Sequence, residues 1–99
     1  MDTANLPKTQ EPKLKKPSLY QIILLNDDYT PMDFVVLLLQ KFFKMDLEFA
    51  TKIMMKIHTE GQAVCGIYDK DIAETRNAMI KAFVRSHKHI LKSIVEKVE

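Results

Sequence analysis

A single cysteine in 99 residues sets the first limits. Cys65 has no partner for an intrachain disulfide and cannot build a cysteine-based zinc site by itself. It lies in an apolar stretch, the setting of a buried small residue rather than of a nucleophile. Long apolar runs are missing too. The longest, residues 34–39, is far too short to cross a bilayer. The first residues are polar and hold no apolar core segment, so no secretory signal and a cytoplasmic location are expected. Neither sign of charge dominates. A net +2 with 28% charged residues differs from a nucleic-acid binder, whose basic residues crowd one face. There is no Gly-rich phosphate loop, no Ser-His-Asp or Cys-His arrangement, and no paired His or Cys spacing for a metal. The expectation is a protein that is not an enzyme and carries no cofactor or metal.

What is present amounts to one small domain with room for a modest core. Residues 1–17 carry Pro7, Pro12 and Pro17 with Lys8, Lys13, Lys15 and Lys16, and few apolar side chains. Such a segment buries too little surface to offset its ordering entropy, so it reads as a disordered arm ahead of a core domain at 18–99. Residues 19–25 are nearly all apolar and read as a well-buried strand. A first helix over 31–43 gathers Val35, Val36, Leu39, Phe42 and Phe43 on one side. A second starts at Asp46 as N-cap and stops at Gly61, with Leu47, Ala50, Ile53, Met54 and Ile57 inward. Residues 62–68 alternate as a strand, Ala63, Cys65 and Ile67 against Val64, Gly66 and Tyr68, with Gly66 implying close packing by a backbone or helix. Asp69 caps a third helix to residues 86–87. Its expected buried side is Ile72, Met79, Ile80 and Phe83, and its wet side Glu74, Asn77, Lys81 and Arg85. Arg76 falls beside the apolar stripe, either snorkelling or marking a partner-binding edge. A last, less buried strand spans 90–98. The order β-α-α-β-α-β gives an α+β fold, a small sheet covered on one face by three helices.

The most informative stretch joins the first strand to the first helix: Asn26-Asp27-Asp28-Tyr29-Thr30-Pro31-Met32. Thr30 suits the N-cap, Pro31 the first helical position, and Asp33 a short capping box at the positive helix end. The plain structural reading is that Asn26, Asp27 and Asp28 only turn the chain. The other is that a scaffolded turn displays them for function. His58, one turn after Met54 at the margin of an apolar face, is open to the same two readings.

The string from Asn26 to Met32, followed by Phe34-Val35, resembles the signature of the ClpS family, bacterial adaptors for N-terminal degradation signals. The resemblance runs from about Ser18 to the end. It includes His58, Gly61, Ala63-Val64-Cys65-Gly66 and Ala73-Glu74-Thr75. It implies antiparallel pairing of the three strands. It also implies a monomeric adaptor that binds proteins with an N-terminal Leu, Phe, Tyr or Trp and delivers them to ClpA, the unfoldase of the ClpAP protease. An α-ammonium needs acceptors around a point, and Asn26, Asp27 and neutral His58 match that need. Thr30, Met32, Val35, Met54, Ile57 and Leu91 match the pocket for the first side chain. Tyr29, Asp71 and Arg76 match the surface for the ClpA N-terminal domain, and the arm matches an extension needed for delivery. The chain departs from the pattern at four places: Asp71 for Glu, Arg76 for Lys, Ile57 where Val is common, and Ile90 in place of Pro before Leu91. Two rivals share parts of this reading. A ribosomal-stalk-like domain binding translation factors has the same element order, and a small metal-assisted hydrolase would use Asp27, Asp28 and His58.

Overall fold

The apolar run at Leu19–Leu25 owes its character to its place at the centre of the sheet. In the computed structural model, which describes residues 17–99, this strand is β1. It pairs with β2 (Gln62–Asp69) on one side and β3 (Lys92–Lys97) on the other, both antiparallel, giving the order β2-β1-β3. Helices α1 (Met32–Phe43), α2 (Leu47–Glu60) and α3 (Lys70–Ser86) complete the expected β-α-α-β-α-β order. Ile22 and Leu24 share one face of β1 and enter one core cluster with Leu38 and Leu39 of α1, Ile57 of α2 and Ile80 of α3. Ile23 points the other way yet is only 2% exposed. Val64 and Ile94 stand directly across from it on the two neighbouring strands, and apolar cross-strand neighbours shield one another. Apart from Pro17, the arm expected over residues 1–17 lies outside the described residues.

Local capping signals set the helix ends. Asp46 accepts the Phe49 N–H at 2.8 Å, and Asp69 accepts the Ile72 N–H at 3.0 Å, each satisfying a donor that the first helical turn leaves unpaired. Gly61, at φ 94°, ends α2 in the left-handed conformation and donates its N–H to Ile57 O, as glycine does without steric cost. The start of α1 departs from expectation. Pro31, extended at φ −63° and ψ 143°, takes the cap position without a side-chain bond, and α1 begins at Met32. Thr30 gives its hydroxyl hydrogen to Asp27 instead, so neither the Thr cap nor the short capping box with Asp33 forms.

Strand β2 corrects the expected alternation. Ile22 pairs with Gly66 and Ile23 with Val64, so Cys65 is the extra residue of a bulge. One inserted residue reverses which face every later side chain meets. Ala63 and Cys65 are buried as expected, but Ile67 turns outward and is 51% exposed, while Tyr68 turns in and is half-buried. The close neighbour at Gly66 is the Tyr68 ring rather than a distant backbone; a Cβ there would lie 2.7 Å from its Cζ.

The helices bury different residues from those the period suggests. On α1, Phe34 and Leu38 join Val35, Leu39 and Phe42 in the interior. On α2, Leu47 is exposed, because only Ala50, Met54 and Ile57 face the core fully. On α3 the buried stripe is Ala73, Asn77, Ile80 and Val84, leaving Ile72 and Met79 exposed and placing the supposedly wet Asn77 inside. This stripe keeps helical spacing one residue round from the expected one. β3 is shorter than expected: Ile90 is exposed, and Leu91 is buried just before the strand begins.

Candidate functional site

Two elements meet where β1 ends. The Asn26 N–H donates to Gly61 O at 2.8 Å, tying the strand-to-helix junction to the C-terminal end of α2. The last turn of α2 carries His58. Asn26 and His58 are both exposed, whereas Asp27 between strand and helix is half-buried. The Asp27 carboxylate is held by its own loop: Oδ1 accepts the Tyr29 N–H at 2.7 Å, and Oδ2 accepts the Thr30 hydroxyl. Such an Asx turn fixes the carboxylate without using it up, because each oxygen keeps a second lone pair for a donor from outside.

The predicted pocket residues are mostly interior. Val35, Met54, Ile57 and Leu91 are buried in the same core cluster, and Thr30 is also buried. Met32, at the start of α1, is 44% exposed. Of the predicted pocket residues it is the one free to move at the surface. Between α1 and α2 runs a groove of about 470 Å³, lined in part by Met32 and Met54. The junction thus holds one carboxylate in a fixed turn, bonded to the buried Thr30 two residues before α1 begins.

The three residues predicted for a partner surface have different fates. Tyr29 is 83% exposed. Asp71 and Arg76 both line a shallow groove of about 290 Å³ on α3, with Ile72, Thr75 and Met79; Tyr29 is not among its lining residues. Arg76 also works inside the fold. Its Nη1 donates to Phe42 O at 2.7 Å, and its guanidinium lies 5.0 Å from the centre of the Tyr68 ring. A cation at Phe42 O meets the negative end of α1, so Arg76 joins α3 to α1 as well as facing out. Burial pushes the Tyr68 phenol up; the Arg76 charge opposes that shift and Cys65 adds to it. Burial also pushes the Cys65 thiol up, to about 12, against a smaller opposing effect from the Leu24 backbone.

A group the sequence did not single out is a set of rings around Phe34. Phe83 stacks on Phe34 with centroids 5.4 Å apart, His89 lies 4.3 Å away and His87 5.3 Å away. These rings seat the first turn of α1 against the segment that leads to Leu91. The available signal is the Phe34, Leu38, Phe42 spacing, which outranks the Val36, Phe43 spacing once the sheet is present. Among the described residues no group of three or more His, Cys, Asp or Glu side chains could hold a metal ion, and no helix is long and apolar enough to cross a membrane.

These features define a small α+β domain whose first strand-to-helix junction holds the Asp27 carboxylate in a fixed turn. Comparison with known proteins places it further. The sequence model of the family described as "ATP-dependent Clp protease adaptor protein ClpS" matches residues 15–94. The Clp protease adapter ClpS of Aromatoleum aromaticum is 50% identical over 91 residues, 92% of this chain and 89% of that protein. ClpS 2 of Rhodopseudomonas palustris is 47% identical over 95 residues, 96% of this chain and 86% of that one. The solved structure of Agrobacterium tumefaciens ClpS2 bound to L-phenylalaninamide superposes with a TM-score of 0.81 at 35% identity, covering 84% of this chain and 100% of that chain. The chain belongs to the ClpS family of Clp protease adaptors.

Proposed function

We propose that this adaptor binds proteins through a free N-terminal α-amine and an N-terminal Leu, Phe, Tyr or Trp side chain, and hands them to ClpA for degradation by ClpAP in the cytoplasm. The observation that carries the reading is the half-buried Asp27 carboxylate, held ready by the Tyr29 N–H and the buried Thr30 hydroxyl; Val35, Met54, Ile57 and Leu91, buried in one cluster, supply the proposed pocket. Asn26 and His58 supply the further acceptors. Charge-assisted hydrogen bonds contribute roughly 1.5–3 kcal/mol each, and burying one large apolar side chain adds about as much. The related Agrobacterium protein supports this: its ligand, L-phenylalaninamide, joins a free α-amine to an aromatic side chain. Handover uses Tyr29, Asp71 and Arg76 toward the ClpA N-terminal domain, together with the arm at residues 1–17. An adaptor of this kind needs no catalytic group of its own. Membership of the ClpS family leaves the ribosomal-stalk reading without support.

The test is a pair of peptides that begin with Leu and differ only in N-terminal acetylation, titrated by fluorescence anisotropy. The free-amine peptide binds and the acetylated one does not. Equal binding of the two would remove the amine site.

A further inference from the structure

The groove between α1 and α2, about 470 Å³, is larger than one side chain needs. Its α1 wall is Met32, Asp33, Val36, Leu37 and Gln40; its α2 wall is Leu47, Thr51 and Met54. Met32 and Met54 belong to the proposed first-residue pocket, so groove and pocket are continuous. From Met32 to Gln40 the α1 wall is about 12 Å long at 1.5 Å per helical residue. That length takes about three or four residues of extended chain. The apolar residues of the walls include two large side chains left in water, Leu37 at 48% and Leu47 at 62% exposed. Exposed apolar side chains facing each other across a groove mark a binding surface more often than scattered ones do.

We infer that this groove is the track for the substrate residues following the first, and that it takes apolar side chains at positions two to four. The inference rests on the reading above, in which the first residue is held beside Asp27 and His58. A chain tethered there presents its next residues to the groove at high effective concentration, so a weak apolar contact adds to the affinity. Asp33 is the one charged residue in the lining. It favours Lys or Arg at the near end and disfavours Asp or Glu by like-charge repulsion.

The test uses the full chain and three probes: leucinamide, a Leu-starting peptide with Leu and Val at positions two to four, and the same peptide with Gly and Ser there. Affinities come from competition anisotropy against a labelled Leu-starting peptide. The parent binds the apolar peptide more tightly than the polar one by a factor on the order of five. In Leu37→Asn and Leu47→Asn that preference falls to near unity while leucinamide affinity stays. Both positions are exposed, so neither substitution opens the core. A parent that needs the free amine but ignores positions two to four overturns the track and leaves the amine site standing. Binding that ignores the amine overturns both. A preference that survives in the two variants also overturns the track. So does a change in their oligomeric state by sedimentation with the preference intact, which would assign the groove to a second copy of this chain.

Discussion

In the proposed function the Asp27 carboxylate serves the turn and the ligand at once, so its removal costs both. In Asp27→Ala the buried Thr30 hydroxyl and the Tyr29 N–H lose their acceptor, which costs about 1–3 kcal/mol of stability in addition to ligand affinity. His58 is exposed, so His58→Ala lowers affinity for a Leu-starting peptide by about tenfold and leaves the denaturation midpoint in place. An unchanged affinity in His58→Ala would put the amine elsewhere. Met32 tests selectivity instead. It stands half-exposed just beyond the turn, where a ligand side chain branched at Cβ brings bulk close to the backbone. Met32→Ala therefore gains binding to peptides beginning with Ile or Val and keeps most affinity for Leu or Phe, because removing a clash helps only the excluded ligand. Anisotropy with the four peptides checks this, and a uniform loss would make Met32 a plain wall. Turn and cap chemistry alone left the string at 26–32 as a plain turn, and its resemblance to the ClpS signature is what singled out the candidate residues. The partner of the Thr30 hydroxyl was not legible, because spacing cannot decide between its own helix and a carboxylate three residues back.

Among the elements, those whose limits are chemical were the readable ones. Asp46, Gly61 and Asp69 mark helix ends by bonds made within a few residues, and the structure places the ends there. The bulge at Cys65 was invisible because both of its flanks alternate correctly by themselves. The inward face of α3 was misjudged for a related reason. Small Ala73 and polar Asn77 face the core, and hydrophobicity alone favours Ile72 and Met79. Gly66 shows what the bulge requires. A methyl there strikes the Tyr68 ring, which must then swing away from Arg76. Gly66→Ala accordingly destabilises the fold by about 1–3 kcal/mol. In Gly66→Ala/Tyr68→Ala the two losses sum to less than their separate values, since the obstacle is already gone. Urea unfolding of the four proteins in the cycle measures the coupling; strict additivity would mean the ring and the glycine do not interact.

For the molecule as a whole, Cys65 imposes an upper limit on pH. Burial pushes its thiol up from an ordinary 9.0 to about 12, so the folded state disfavours the thiolate. The stabilisation is complete below pH 9 and is lost as pH rises toward 12, at about 1.4 kcal/mol per pH unit. Unfolding free energy measured at pH 7 and pH 10 falls between the two, and Cys65→Ala shows a smaller fall. An equal fall in both would assign the loss to other groups, Tyr68 among them.

Because β1 is the first strand among the described residues and the middle one in the sheet, it is synthesised before either strand that flanks it. A ribosome releases β1, the candidate site's junction, β2 and helices α1 to α3 before β3, the strand that covers the second edge of β1. Until residues 92–97 emerge, β1 offers one open row of backbone donors and acceptors, the arrangement that invites pairing with other chains. A stop codon just after α3 would therefore leave every proposed amine contact encoded and yield a product that aggregates.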